Sequence, residues 1–373
     1  MVKNKNDNFM SNLKSNFEKN YKAVFDSNVD MIPSGLTAFD KFVGGIPLGK
    51  MVLIQALEGV GKSSLAVQLA AGAQKLGYPV IYFDTESSMS NQRFKELGFN
   101  LKDPNTFYVQ PTTLQMIFGM IQNIIKIKES KSKTEDPTII IWDSLAATPA
   151  LEEIEKTDID GVEIGIRARI ISQGLRIITS MLTKANISLI VVNQYRVKMN
   201  SMSSWGGPQF TTPGGNAPRY HAFYIVELKD GKKFGKDDVG DDFGKLVRVK
   251  TLKNKFLPPL VEFSMYYTYT HGFDNIWTAF YTLKNAKIIK ASGPWMSLSS
   301  YPDKKFHKSG FKSLYLSDKD FAKAVDAELN KLQPSINIMD TEDKDPIEDT
   351  ENVDNVNEGK TTGDENESNR KQK

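Results

Sequence analysis

The chain has 373 residues, a formal net charge of +3 and no cysteine. That length can bury a sizeable core, in two or three domains or one large α/β unit, and the lack of cysteine excludes disulfides and thiolate metal sites. No apolar run reaches the length of a membrane span, the longest being strand-sized runs such as TIIIW at 138–142, and the first residues lack the apolar stretch of a secretory leader. Together these features predict no membrane partner and a reducing, cytoplasmic location.

The small net charge conceals an asymmetry. Residues 336–373 hold 12 acidic against 5 basic residues, which leaves the preceding body at +10. A basic body with an acidic tail suggests a polyanion partner and a segment that competes with it; an acidic tail that only aids solubility fits the composition equally.

From the N-terminus, Phe9, Leu13, Phe17, Tyr21 and Phe25 recur at four-residue steps, one apolar stripe on a predicted helix over 7–25. Such a helix must dock, either on its own body or on a neighbouring subunit. From about 31 to 270 the pattern predicts strands near 51–57, 80–84, 138–143, 188–193, 222–229, 245–252 and 259–266, with helices near 62–76, 112–129 and 163–185. Continuous apolar runs such as VIYFD and SLIVVN imply a largely parallel sheet covered on both faces, with an antiparallel, hairpin-rich portion at its edge. Ligands of such sheets bind at the carboxyl ends of the strands.

The stretch MVLIQALEGVGKSSLAVQL reads as a buried strand, a tight turn and a helix. Gly59 and Gly61 let the backbone curl so that successive N–H groups converge, and the helix opening near Lys62 adds the positive end of its dipole. The cradle for a nucleoside triphosphate then comprises Ala56, Leu57, Glu58, Gly59, Val60, Gly61, Lys62, Ser63 and Ser64. Lys62 supplies a point charge for the outer phosphates and Ser63 a hydroxyl for Mg²⁺. Ala56 stands where the usual pattern has its first glycine.

Three further strands end in polar groups. Asp143 closes a buried strand, as a Mg²⁺-holding carboxylate opposite Ser63 would; a strand-ending Asp that caps the next helix is the commoner arrangement. VIYFD is followed by Thr85 and Glu86, and Glu86 is the candidate base for the water that attacks a γ-phosphate, on a local pattern that a surface carboxylate fits equally. Gln194 ends SLIVVNQ just before a long Gly- and Pro-rich stretch, where an amide could sense a γ-phosphate or simply bond the base of the loop. Residues 152–163 and 197–220 read as two long irregular stretches, of the kind that carries function or stays disordered. Residues 275–333 form a small Lys-rich mixed segment ending in a helix near 318–331, and the tail after 335 reads as disordered.

Taken together and in order, PSGLTAFDKFVGGIPLG, the cradle, YFDTE, WDSLAA, RARIISQGLRIIT, VVNQYR, TTPGGNAPRY and RVKTLKNK resemble a RecA-type recombinase over roughly 30–265. The short N-terminus and the divergent segment after 275 resemble the phage UvsX-like members. The resemblance implies a RecA-like α/β ATPase core at 31–270 with a mostly parallel sheet, an N-terminal docking arm at 1–30, a small α+β domain at 275–333 and an acidic tail at 336–373. It also implies ATP and Mg²⁺ as cofactors, and self-assembly into helical filaments on single-stranded DNA that pair with a homologous duplex and exchange strands. A single-strand-binding protein and a loader are the accessory partners expected of such a filament.

By the same resemblance, ATP lies between subunits, with Lys253 and Lys255 reaching the neighbour's γ-phosphate. Arg169, Ser172 and Arg176 would meet the DNA backbone, Gly214, Gly215 and Asn216 would offer donors to phosphates, and Ile164 and Met199 sit where the family inserts apolar wedges between bases. Arg248 and Lys250 match a secondary site for the incoming duplex, although a solvated strand face carries the same pattern. Arg93 stands where many members place an aromatic ring against adenine. A ring-forming helicase with the same core is the alternative, but it requires a substantial N-terminal domain where about 30 residues precede this core. A nucleotide-gated mediator without turnover would not require Glu86 or Gln194.

If the tail competes with phosphate for lysines, deleting residues 340–373 tightens duplex DNA binding at low salt in an anisotropy titration. Unchanged affinity would sink the competition.

Overall fold

A computed structural model describes residues 9–16, 29–130, 136–155, 165–202, 208–234 and 244–332, with the side chains of 197–202 and 208–210 outside the description. Its centre is a nine-stranded sheet. In chain order the strands are β1 (Met51–Ala56), β2 (Val80–Asp84), β3 (Thr106–Val109), β4 (Thr138–Asp143), β5 (Ile187–Gln194), β6 (Tyr224–Phe234), β7 (Gly244–Asn254), β8 (Glu262–Thr268) and β9 (Gly272–Asp274). Across the sheet they run β3-β2-β4-β5-β1-β6-β7-β8-β9. The six strands from β3 to β6 are parallel, and β7, β8 and β9 continue as an antiparallel edge.

The central strands are buried along their whole length because both faces are covered. Alternation sorts β1 between two cores. Val52, Ile54 and Ala56 face α1 (Lys62–Lys75), while Met51 and Leu53 face α2 (Leu114–Ser130) and α3 (Ile166–Ala185). A third core joins Phe234 and Tyr266 of the sheet's edge to α5 (Asn275–Asn285), a three-stranded antiparallel sheet over 289–307, α6 (Phe311–Ser317) and α7 (Lys319–Lys331).

Several local features differ from the sequence reading. Thr106–Val109 forms the outer parallel strand, with Phe107 exposed, so only its partner β2 reveals it as a strand. Asn91–Glu96 is a short helix whose N-cap Ser90 accepts from the Arg93 N–H. The stretch 197–220 is not wholly irregular: Arg196–Met202 pairs antiparallel with Pro208–Thr211, and Ala217–His221 forms α4. The strand expected near 259–266 begins at Glu262, because the segment before it turns through Leu260 at φ +62°, and Gly272–Asp274 adds a further strand, β9, beyond it. Of the N-terminal helix, 9–16 is helical and the remainder lies outside the described residues, as does the expected tail at 336–373; the stretch expected to be irregular at 152–163 begins inside a short helix, Leu151–Glu155, and its residues from 156 lie outside the description.

Helix α1 lies against the chain entering the core. A Cβ at Gly72 would collide with the backbone carbonyl oxygen of Ser34, so this helical glycine permits a close approach rather than a turn. Gly72→Ala should therefore lower the melting temperature by several degrees, because overpacking at about 1–3 kcal/mol outweighs the ~1 kcal/mol helix-propensity gain. Thermal unfolding checks this, and an unchanged or raised midpoint would contradict it.

Candidate functional site

The parallel register brings the sequence candidates to one end of the sheet. Ala56 pairs with Gln194 on β5, and Asp84 pairs with Asp143 on β4. From Ala56 the chain turns through Gly59 at φ +73° and Gly61 at φ +116°, left-handed conformations that glycine adopts without strain, and enters α1 at Lys62. Lys62 is 9% exposed, and its Nζ donates to the Leu57 carbonyl at 2.7 Å across the turn. Burial lowers its pKa, while the carboxylates of Asp143, Glu86 and Glu58 pull it back up. All three acids therefore lie within electrostatic reach of one ammonium.

Asp143 is the most constrained of them. Its Oδ2 accepts from the Tyr82 hydroxyl at 2.8 Å, whereas Oδ1 is buried without a hydrogen-bond partner. Burial pushes its pKa up to about 6, against the lowering effects of Tyr82 and Ser63. Ser63, beside the carboxylate, also favours its anion. An orphaned carboxylate oxygen beside a helix-opening hydroxyl is a donor set that suits Mg²⁺. Among the described residues no group of three or more His, Cys, Asp or Glu could hold a metal.

Glu86 follows β2 and is exposed, with Oε1 accepting from the Ser144 hydroxyl at 2.6 Å. Ser144 in turn is fixed by Thr85, whose Oγ1 accepts from the Ser144 N–H at 2.9 Å and donates to the Ser144 carbonyl at 2.9 Å. The peptide joining Asp143 to Ser144 is cis. This crosslink sets the exposed carboxylate of Glu86 next to the buried one of Asp143. Tyr82 and Ser144 were absent from the sequence candidates. Tyr82 reads as one more aromatic in an apolar strand, and only the β2–β4 register puts its hydroxyl on Asp143.

Arg93 is placed differently from an open stacking group. Its guanidinium donates to the Thr270 carbonyl at 2.5 Å and to the Tyr267 hydroxyl at 3.2 Å, and pairs with Glu96 at 3.2 Å. The cation therefore ties the helix over 91–96 to the antiparallel edge of the sheet.

The candidate nucleic-acid residues gather around α3 and the segment following the Arg196–Thr211 ribbon. Arg169, Ser172 and Arg176 are exposed at three- and four-residue steps on one face of α3. Gly214 at φ +90° and Gly215 at φ +61° curl the chain into Asn216, which opens α4. A Cβ at Gly214 would come within 3.2 Å of Ile171, so this curl lies directly on α3. Asn193, immediately before Gln194, donates from Nδ2 to the Pro213 carbonyl at 3.0 Å and so joins the end of β5 to the same curl. Arg167, missed from the sequence, donates to the Leu145 and Ala146 carbonyls at 2.8 and 2.7 Å and holds the start of α3 against the segment after Asp143. Ile164 lies outside the described residues; Met199 falls in the strand Arg196–Met202, its side chain likewise outside the description.

Lys253 and Lys255 lie far from their own cradle. Lys253 pairs with Ile225, and Ile225 with Leu53 near the middle of β1, while Lys255 continues past the end of β7 in the opposite direction from the glycine turn. The Lys253 Nζ donates to the Arg219 and Tyr220 carbonyls at 3.0 and 2.9 Å, at the end of α4. On β7, Arg248 is half-exposed and pairs with Glu262 at 3.7 Å, and Lys250 stands between Glu227 and Glu262 in cross-strand register.

A family model described as the RecA N-terminal domain matches residues 11–274. The chain belongs to the RecA family. It is 32% identical to Protein RecA of Treponema denticola over 272 residues, 72% of this chain and 62% of that protein. It is also 32% identical to Protein RecA of Geobacter metallireducens, over 73% of this chain and 77% of that one. Protein RecA of Thermus thermophilus is 32% identical over 72% of this chain and 76% of that protein. The match to the RecA N-terminal domain ends at Asp274, where α5 begins. No described helix of this RecA-family chain is long and apolar enough to cross a membrane.

The Asp143 carboxyl gives a signed pH dependence. Its folded pKa lies near 6, above the ordinary value of 3.8, so the stability it contributes is present below about pH 4 and lost as pH rises through 6. In buffer without nucleotide or metal, Asp143→Asn should remove that decline and raise stability at pH 7.5 by about 2–3 kcal/mol relative to wild type. Denaturant melts at pH 4.5 and 7.5 check it; parallel pH profiles for the two proteins would contradict it.

Proposed function

We propose that the chain is a DNA-dependent ATPase that assembles head to tail on single-stranded DNA and performs homologous pairing and strand exchange in recombination and repair. One observation carries this reading. The hydroxyl of Ser63, the ammonium of Lys62 and the carboxylates of Asp143 and Glu86 meet at the carboxyl ends of β1, β2 and β4, one residue pair away from Gln194, whose neighbour Asn193 bonds the Gly214–Asn216 curl.

In this reading the N–H groups of the glycine turn and Lys62 hold the phosphates of ATP, and Ser63 and Asp143 hold Mg²⁺. The ion would supply neutralisation of phosphate charge. Glu86, oriented by Ser144, accepts the proton of the attacking water. Gln194 bonds the γ-phosphate while it is present and releases it afterwards, and the Asn193–Pro213 contact passes that change to the curl on α3. Arg169, Ser172, Arg176, Gly214, Gly215 and Asn216 then contact the DNA backbone, an interaction tolerant of sequence as a homology search requires. Ile164 and Met199 act as wedges between bases, and Arg248 and Lys250 receive the incoming duplex.

Lys253, level with the middle of β1, and Lys255, continuing from the end of β7 away from the cradle, support action on a neighbouring subunit's γ-phosphate, because head-to-tail stacking brings unlike ends together. We assign residues 1–30 to the docking arm, 31–270 to the ATPase core, 275–333 to a small Lys-rich domain that captures duplex DNA and 336–373 to its acidic restraint. The assembly works in the cytoplasm, with a single-strand-binding protein and a loader as accessory partners.

The test is ATP hydrolysis with and without single-stranded DNA, on samples also imaged for filaments. Stimulation with helical filaments is expected; stimulation with closed rings would indicate a helicase instead. Glu86→Gln should lower kcat about a hundredfold or more while nucleotide still binds. Hydrolysis by that variant at the wild-type rate would remove Glu86 from the role of base.

A further inference from the structure

The proposed nucleotide cradle has a support that none of its motif residues supplies. Lys245, near the start of β7, is 2% exposed. Its Nζ donates to the Gly59 carbonyl at 2.8 Å, pairs with Asp230 Oδ1 at 2.6 Å and lies 5.6 Å from the centre of the Tyr267 ring. It continues the buried stripe of Val247 and Val249, so its stem packs as an apolar side chain while its charged tip reaches the turn. A bulge between Asp230 and Lys233 brings the ion pair into place: Lys233 rather than Asp230 stands opposite Lys245, and Asp230 reaches it diagonally. The same Tyr267 shares a hydrogen bond at 3.1 Å between its hydroxyl and Ser64, the third residue of α1, and its ring lies 3.5 Å from where a Gly61 Cβ would stand. The antiparallel edge thus grips the cradle from outside at Gly59, Gly61 and Ser64.

We propose that Lys245 is a positioning residue for the phosphate cradle, anchoring the Gly59 carbonyl so that the Val60 N–H is aimed at the bound phosphates. The physical step is peptide planarity. The carbonyl of Gly59 and the N–H of Val60 belong to one trans peptide unit and point in opposite directions, so a donor fixing the oxygen on the outside fixes the N–H toward the inside. The flanking glycines make this constraint useful, since Gly59 at φ +73° and Gly61 at φ +116° have no side chains of their own to restrict the backbone on either side of Val60. Because Asp230 neutralises Lys245, the contribution is orientation rather than added charge.

This inference rests on the nucleotide-binding reading, and its test separates the two. A fluorescent ATP analogue is titrated into full-length wild type, Lys245→Met, Val247→Ala and the double variant Lys245→Met with Asp230→Asn, and steady-state hydrolysis is measured in parallel. Lys245→Met should weaken analogue binding and raise KM for ATP about tenfold, the worth of one charge-assisted hydrogen bond, with kcat changed less than about threefold. The double variant also removes the Asp230 carboxylate left without its lysine and should show the same weakened binding. Val247→Ala loosens the same strand without touching Gly59 and should lower the melting temperature without raising KM. Wild-type affinity in the double variant overturns the proposal, and so does a KM rise in Val247→Ala equal to that of Lys245→Met. Wild-type protein that binds no analogue would remove the nucleotide reading itself.

Discussion

A carboxylate held out of water with one oxygen unpartnered is the constraint around which this site is built. Asp143 is buried at the end of a central strand, where neighbours on both sides of the sheet prevent solvent from reaching it. Its anion is unfavourable there, and the hydroxyls of Tyr82 and Ser63 do not offset the desolvation. The opening of α1, with Ser63 and Lys62, faces that carboxylate. A site arranged in this way gains most when a cation arrives, and the folded chain gives up stability in advance to make it so.

The parallel sheet turns that local arrangement into a directional one. Because β1, β2, β4 and β5 all run the same way, every strand delivers its last residue to the same end: Ala56 stands level with Gln194 and Asp84 with Asp143, the second pair about two residues short of the first. The antiparallel strand β7 runs back toward the other end and carries Lys253 and Lys255 with it. Opposite ends of one rigid sheet thus present complementary halves of the proposed site. In the proposed reading, such halves would meet only across a head-to-tail contact between subunits.

The proposed coupling to nucleic acid depends on similarly short connections. Asn193 is buried in the strand beside the cradle, yet its amide holds Pro213, and Gly214 lies on Ile171 of α3. Two residues of β5 therefore serve different sides: Gln194 adjoins Ala56, and Asn193 reaches the curl. A shift of either by a fraction of an ångström would be felt by the other, because close-packed interiors transmit displacement.

Much of this was legible in the residues themselves. GVGKSS, the runs ending in Asp84, Asp143 and Gln194, and the helix over 166–185 carry strong local signals, since a glycine turn, a continuous apolar strand and a 3.6-residue period each reflect short-range backbone physics. The strand at 106–109 and the ribbon around 200 were missed because their pairing partners, not their own composition, define them. Tyr82, Ser144, Arg167 and Lys245 were invisible for the same reason: each acts on a group distant in sequence, and a tyrosine or lysine in a strand looks the same whether or not its tip finds a carboxylate or a carbonyl. The sequence alone thus determined the fold class, the family and the order of the chemical groups along the chain. Only the tertiary structure decided which oxygen of Asp143 is left bare, which hydroxyl orients Glu86 and which cation steadies Gly59, because hydrogen bonds between strands depend on register and register is a property of the assembled sheet.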